Sequence, residues 1–194
     1  MSAFTPSSYV FNALTIQNFN GDKVDLIKMF ERVDLYEDLF SSTISASVTI
    51  NESTDMIQNF PIKSDELVRI SFSTHKDMDK IDVVLTPFEI ANRVQSREKQ
   101  NRYSLELYSD EVFLSKTSFV SKSFKDVMPE IAISSILRGD IVSRKTLEYH
   151  ESGNSISFIP NKMRPFEVIS YITNRTQSKE NPNASSHLFW ESLD

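Results

Sequence analysis

Histidines, carboxylates and serines are the residue types here that could do chemistry, and their spacing along the sequence keeps them apart. His75, His150 and His187 are widely separated, and none opens the H-E-x-x-H pattern that sets two imidazoles and a base on one helix face around zinc. They read as solvent-facing or locally bonded side chains, with a zinc site assembled by the fold as the alternative. Asp77 and Asp79 in H-K-D-M-D-K resemble the start of a calcium loop, but the glycine required at its sixth position and the closing glutamate are absent. That segment reads instead as a solvated hairpin tip between two strands. Glu106 and Asp110 could be drawn as the paired carboxylates of a glycosidase. A glutamate alternating with apolar strand residues is more simply a position facing solvent. Serine is so frequent that a Ser-His-Asp arrangement can be drawn anywhere, and chain order alone positions none of them.

Only Gly21, Gly139 and Gly153 are glycines, so neither a dinucleotide fingerprint nor a phosphate-cradling loop can be assembled. Cysteine is absent, which removes disulfides and thiolate metal sites and fits a chain that matures in a reducing compartment. The expectation is a protein without catalytic residues, cofactor or metal. A net charge of -6 argues against a basic groove for duplex nucleic acid. Hydrophobic residues at 39% supply a real core, so disorder is not the default. The polar start, Met1 to Tyr9, lacks the order of a signal peptide, and no stretch of about 18 apolar residues occurs, so the reading is a soluble, non-secreted chain without a membrane role. Glycosylation triplets at Asn51, Asn174 and Asn183 are short enough to arise by chance and carry nothing.

The elements that would position any site change character along the chain. Residues 43 to 50 alternate Ile44, Ala46, Val48 and Ile50 with Thr43, Ser45, Ser47 and Thr49, the period of a half-buried strand. Val68, Ile70 and Phe72 alternate with Arg69, Ser71 and Ser73, and Tyr103, Leu105 and Leu107 with Ser104, Glu106 and Tyr108. In residues 81 to 94 the apolar phase of Ile81, Val83 and Leu85 shifts by one after Pro87, to Phe88 and Ile90, which predicts a bulge or bend at Pro87 that returns both halves to the core. Residues 9 to 19 and 23 to 36 read as two more strands joined near Gly21-Asp22, with Ile27, Met29, Val33 and Leu35 buried in the second. Six strands with changing phase suggest a barrel or sandwich.

After Ser109 the pattern turns helical. Ser123 with Asp126 forms a candidate capping box, Pro129 suits a first helical turn, and Val127, Ile131, Ser134 and Leu137, flanked by Ile133 and Ile136, form an apolar stripe ending at Gly139 as a left-handed cap. Residues 144 to 150 and 155 to 159 read as short strands. A second helix opens at Pro165 and carries Phe166, Ile169 and Ile172 with Val168 beside them, and Leu188-Phe189-Trp190 reads as a closing strand. The run from Thr176 to Ser186 is a polar loop. The fold class is mainly β with α+β: a barrel over residues 1–120, then a smaller α/β domain over 121–194.

Four segments together resemble the baseplate hub proteins of contractile-tailed bacteriophages. They are D-L-Y-E-D-L-F-S-S-T-I-S-A-S-V-T-I at 34 to 50, F-P-I-K-S-D-E-L-V-R-I-S-F at 60 to 72, R-Y-S-L-E-L-Y-S-D-E at 102 to 111 and F-I-P-N-K-M-R-P-F-E-V-I at 158 to 169, with H-L-F-W-E as the final aromatic strand. They match that family's acidic corner into a strand, its proline-isoleucine corner, its strand-then-helix step and its corner before a helix. The resemblance implies a tail-tube-like β-barrel followed by an inserted α/β hub domain, related to the hub half of type VI secretion spikes. It implies a structural virion protein in the baseplate, assembled in the host cytoplasm, that joins the hexameric tail tube to a trimeric central spike. Its partners would be sister copies in a trimer forming a pseudo-hexameric ring, the tail tube protein, the central spike protein and baseplate wedge or adaptor subunits, with DNA only as passing cargo. Members of that family are longer and build a second tube-like barrel after the inserted domain, so this chain is expected to be part of a longer protein.

Two physical expectations follow from that resemblance. The corner from Pro160-Asn161 to Pro165 would fix the inserted domain rigidly, as force transmission requires. The acidic balance would suit a channel wall that repels DNA phosphates, with strand carboxylates such as Glu66, Asp82, Glu89 and Glu106 as candidates whose face the sequence leaves open. The competing reading from another class is a stand-alone β-barrel module for peptide or glycan.

Overall fold

The computed structural model describes residues 9–73, 80–95, 100–181 and 187–193. They form two compact units. The first takes the described residues up to Glu37, Ile44–Ser109 and the chain from Ser192, and the second takes Asp38–Thr43 and Asp110–Glu191.

The first unit contains β1 (Val10–Gln17), β2 (Lys23–Asp25), β3 (Phe30–Tyr36), β4 (Ser45–Glu52), the one-turn helix α1 (Met56–Asn59), β5 (Leu67–Ser73), β6 (Lys80–Gln95) and β7 (Asn101–Tyr108). They pair antiparallel in the order β2-β1-β5-β6-β7-β4-β3, a sheet curled into a half-barrel. Two devices produce the curl. β6 is long enough to serve both halves, pairing with β5 from Lys80 to Leu85 and with β7 from Thr86 to Gln95. The end strands β2 and β3 are consecutive in the chain, and the turn between them reaches both halves. Leu26 N donates to the Leu14 carbonyl of β1 at 2.8 Å, and Asn51 N of β4 donates to the Met29 carbonyl at 2.8 Å. Leu14, Ile16, Val48, Ile50, Val68, Ile70, Tyr103, Leu105 and Leu107 are wholly buried inside. The period-two residues of 43 to 50, 68 to 72 and 103 to 107 thus face the core as their alternation predicts, with Phe72 half-buried at its margin.

The hairpin near Gly21-Asp22 also forms. Gly21 has φ 91°, which glycine adopts without steric cost, and Asn18 and Asp22 bond to each other through both backbone and side chain. Two residues depart from expectation, each for a local reason. Residues 23 to 36 are not one strand: Met29 N and Phe30 N both donate to the Leu26 carbonyl, and Ile27 N bonds the Asp25 carboxylate. That turn buries Leu26 and leaves Ile27 36% exposed. At Pro87 the expected bulge is present, since Pro87 opposes Leu107 while Glu89 opposes Glu106. Ile90 returns to the core, but Phe88 is the extra residue of the bulge and stays 46% exposed, edge-on to Tyr108 at 5.6 Å.

The second unit holds α2 (Asp110–Thr117), β8 (Phe124–Val127), α3 (Pro129–Gly139), β9 (Ile156–Phe158) and α4 (Pro165–Thr173), with β8 and β9 paired. Ser123 and Asp126 form no capping box, because residues 124 to 127 are a strand and α3 starts at Pro129. That start turns Pro129, Ala132, Ile133 and Ile136 inward and leaves Ile131 60% exposed. Gly139 is the last helical residue rather than a left-handed cap, and Asp140 follows at φ -102°. Gly139 is useful for closeness instead, since a Cβ there would stand 3.2 Å from Lys122 Nζ. α4 opens at Pro165 as predicted and buries Val168, Ile169 and Ile172 completely. Residues 155 to 159 supply β9, whereas 144 to 150 and 187 to 190 are not strands; Ser152 forms an isolated bridge to Ser178.

Candidate assembly surface

Among the described residues, the histidines and carboxylates singled out for chemistry in the sequence lie apart. His150 is exposed on a loop and His187 is half-buried in the C-terminal segment, while His75, Asp77 and Asp79 lie outside the described residues. Among the described residues no three of His, Cys, Asp and Glu gather as metal ligands, and no helix is long and apolar enough to cross a membrane. Glu106 accepts a hydrogen bond from Ser47 Oγ at 2.9 Å, and Asp110 is the first residue of α2, where a carboxylate favours the helix dipole.

In the first unit, the sheet face turned away from the core carries aligned rows. One row runs Asp34, Ser47, Glu106 and Glu89 across β3, β4, β7 and β6, and the next runs Arg32, Thr49, Ser104 and Ala91. Arg32 pairs with Asp34 at 2.7 Å, and Thr49 Oγ1 meets Ser104 Oγ at 3.2 Å. Farther along, Arg69 forks onto Asp82 at 2.8 and 2.6 Å, with Lys80 at 3.1 Å. The hydrogen bonds from Arg69 hold the Asp82 carboxyl at a pKa of about 2, against the opposing effect of partial burial. So Asp82 is neutralised locally, while Glu89 and Glu106 set two carboxylates side by side.

Glu66 does not join that face. It is 1% exposed, and its carboxylate accepts from Lys63 N at 2.8 and 3.0 Å and from Ser64 N at 3.0 Å. A buried carboxylate satisfied by backbone donors is a clamp for the corner before β5, with Ser64 held at φ 66°. Glu52 plays the same part at the end of β4, accepting from Thr54 N at 2.6 Å and Met56 N at 3.2 Å to start α1.

In the second unit the chain leaves β9 through exposed Ile159 and buried Pro160, turns at Asn161-Lys162 with Lys162 at φ 52°, and enters α4. Arg164 N donates to Glu167 Oε2 at 2.9 Å, which caps the helix through its third residue. Two further bonds tie the corner to the segment from α2 to β8: Val120 N to the Met163 carbonyl at 3.0 Å and Phe166 N to Ser115 Oγ at 3.2 Å. Pro165 itself is buried. Between the two segments lies a groove of about 620 Å³ lined by Phe119, Val120, Ser121, Pro160, Asn161 and Lys162. Nearby in sequence to the first unit's edge strand, the loop Asp38–Thr43 holds Leu39 48% and Phe40 85% exposed. Sequence periodicity could not flag Leu39 and Phe40, because it assigns apolar residues to the core and these two are left in water.

No protein-family model matches the chain, and no curated protein does. Solved structures do. A tail protein from Neisseria meningitidis MC58 aligns with 86% of this chain and 45% of its own length, with a TM-score of 0.57 and 14% identity. The 43 kDa tail protein of prophage MuSo2 from Shewanella oneidensis aligns with 85% of this chain and 49% of its own, with a TM-score of 0.54 and 10% identity. The chain spans less than half the length of these proteins, and it has the fold of that part of them.

Proposed function

We propose that this chain is a structural subunit of a phage-type contractile tail, a baseplate hub component that joins the hexameric tube to the trimeric spike. The observation that supports it is a fold match to a tail protein over 86% of the chain, a share too large for either the half-barrel or the α/β unit alone. Within that reading, sister copies form a trimer whose barrels lie in a pseudo-hexameric ring, and the tube protein, spike protein and wedge or adaptor subunits are its neighbours. The polar sheet face bearing Glu89 and Glu106 would line the channel, where fixed carboxylates repel passing phosphates. The α/β unit, braced at the Pro160–Pro165 corner, would transmit force between neighbours without bending.

Electron microscopy of the chain co-expressed with its tube protein tests this. Rings stacked on tube ends are expected. A monomer that binds a peptide or glycan and ignores the tube would replace the hub reading with a stand-alone binding module.

A further inference from the structure

From the groove and the exposed loop of the second unit we infer a specific contact between copies: the Asp38-Leu39-Phe40 corner of one chain seats in the Phe119–Ser121 and Pro160–Lys162 groove of the next. The inference takes from the proposed function only that assembly is the protein's task. Its first support is the corner itself. Phe40 N donates to Asp38 Oδ1 at 2.9 Å, Ser41 N to the Asp38 carbonyl at 3.0 Å and Ser41 Oγ to the Thr43 carbonyl at 2.9 Å. The turn thus holds a phenylalanine ring in water, 85% exposed, in a fixed position. An apolar side chain displayed on an ordered turn loses little conformational freedom on docking.

The receiving surface is equally prepared. Val120 and Pro160 are buried and make an apolar floor, Phe119 stands 54% exposed at the rim, and the bond from Val120 N to Met163 O joins the two walls. Charge selects the occupant. The wall segments 119–125 and 158–164 carry Lys122, Lys125, Lys162 and Arg164 and no Asp or Glu, in a chain whose net charge is -6. The corner segment 34–42 carries Asp34, Glu37 and Asp38 and no Lys or Arg. Lys122 is engaged with Asp140, Asp34 with Arg32 and the Asp38 carboxylate with Phe40 N, while Lys162 lines the groove itself, so Glu37 beside the knob is the carboxylate matched to Lys162. Because knob and groove are different surfaces, the contact is head-to-tail, the kind that closes into a ring when its rotation permits.

The absence of cysteine makes the test direct. Full-length Leu39→Cys and Asn161→Cys variants, mixed and oxidised, should give a mixed disulfide dimer. Adding Phe40→Ala to the Leu39→Cys chain should cut its yield at least tenfold, with circular dichroism unchanged because Phe40 makes no core. Glu37→Lys or Lys162→Asp alone should weaken association about tenfold, and mixing the two should restore it. No mixed disulfide above a Leu39→Cys with Ser157→Cys control, a yield indifferent to Phe40→Ala, or capture of Asn161→Cys by another tail subunit instead of its own kind would each overturn the contact. Rings on tube ends without the mixed disulfide would reject this contact and leave the hub reading standing. The disulfide in open filaments that ignore the tube would support the contact and reject the hub.

Discussion

Glu89 on β6 and Glu106 on β7 are direct cross-strand partners on the sheet face turned away from the core. Like charges placed so are unfavourable, by about 0.2 to 1 kcal/mol, and the fold keeps them although Glu106 also accepts from Ser47. Glu89→Gln should therefore stabilise the first unit by about 0.5 kcal/mol. The gain is read as a higher denaturant midpoint that shrinks as salt is added. In an assembled tail, Glu89→Lys with Glu106→Lys should slow DNA delivery without reducing particle yield, if this face lines the channel. Equal delivery rates would remove the electrostatic part of the proposal.

Arg69 and Asp82 bind across β5 and β6 in the same sheet, and their pair has a defined pH range. In the unfolded chain the Asp82 carboxyl titrates near its ordinary 3.8, and in the fold Arg69 and Lys80 depress that to about 2. The stabilisation is complete above 3.8 and is lost as pH falls toward 2. Because the pair is partly exposed and screened, Asp82→Asn should cost about 1 kcal/mol at neutral pH, and wild type and variant should converge in stability below pH 2. Parallel pH curves for the two proteins would refute the assignment.

Period-two alternation marked the strands of the first unit best where one face lies in a dry core, as in β4, β5 and β7, because a residue on the wrong face there is costly. What it could not locate is where backbone hydrogen bonding overrides that pattern. Leu26 and Ile27 are equally apolar neighbours, and the Asp25 bond to Ile27 N decides which is buried. In α3, two apolar stripes compete along the same eleven residues, and the start at Pro129 selects the one with Ala132 and Ile136. The helix α2 was visible only in the resemblance of residues 102 to 111 to a strand-then-helix step, since its sole wholly buried residue is Ser115. Its polar signal, Asp110 and Glu111 in the first turn with Lys116 in the last, matches the helix dipole and carries no periodic apolar stripe. Glu66 looked like a strand carboxylate in the sequence, and only the turn at Lys63-Ser64 reveals it as a clamp.

That clamp is separable from charge. Glu66→Gln keeps the shape but replaces one acceptor oxygen by an amide donor that faces backbone N–H groups. It should destabilise the first unit by about 2 kcal/mol, with faster amide exchange at Lys63 and Ser64. An unchanged midpoint in urea would mean that the buried carboxylate contributes nothing the amide cannot.

The Pro160–Pro165 corner is held in two ways that predict different failures. Pro165 restricts the unfolded chain and buries its ring, so Pro165→Gly should lower global stability of the second unit by about 1 to 2 kcal/mol. Ser115 acts only in the folded state, where its Oγ accepts from Phe166 N. Ser115→Ala should cost about 1 kcal/mol and raise exchange most at that single amide. A brace that works through both routes requires their effects to differ in reach: Pro165→Gly should speed exchange throughout residues 166 to 176, and Ser115→Ala only at the helix start. Protection in 166 to 176 that survives both changes would show that the apolar packing of Val168, Ile169 and Ile172 orients α4 alone, and the corner would lose its role as a rigid coupling.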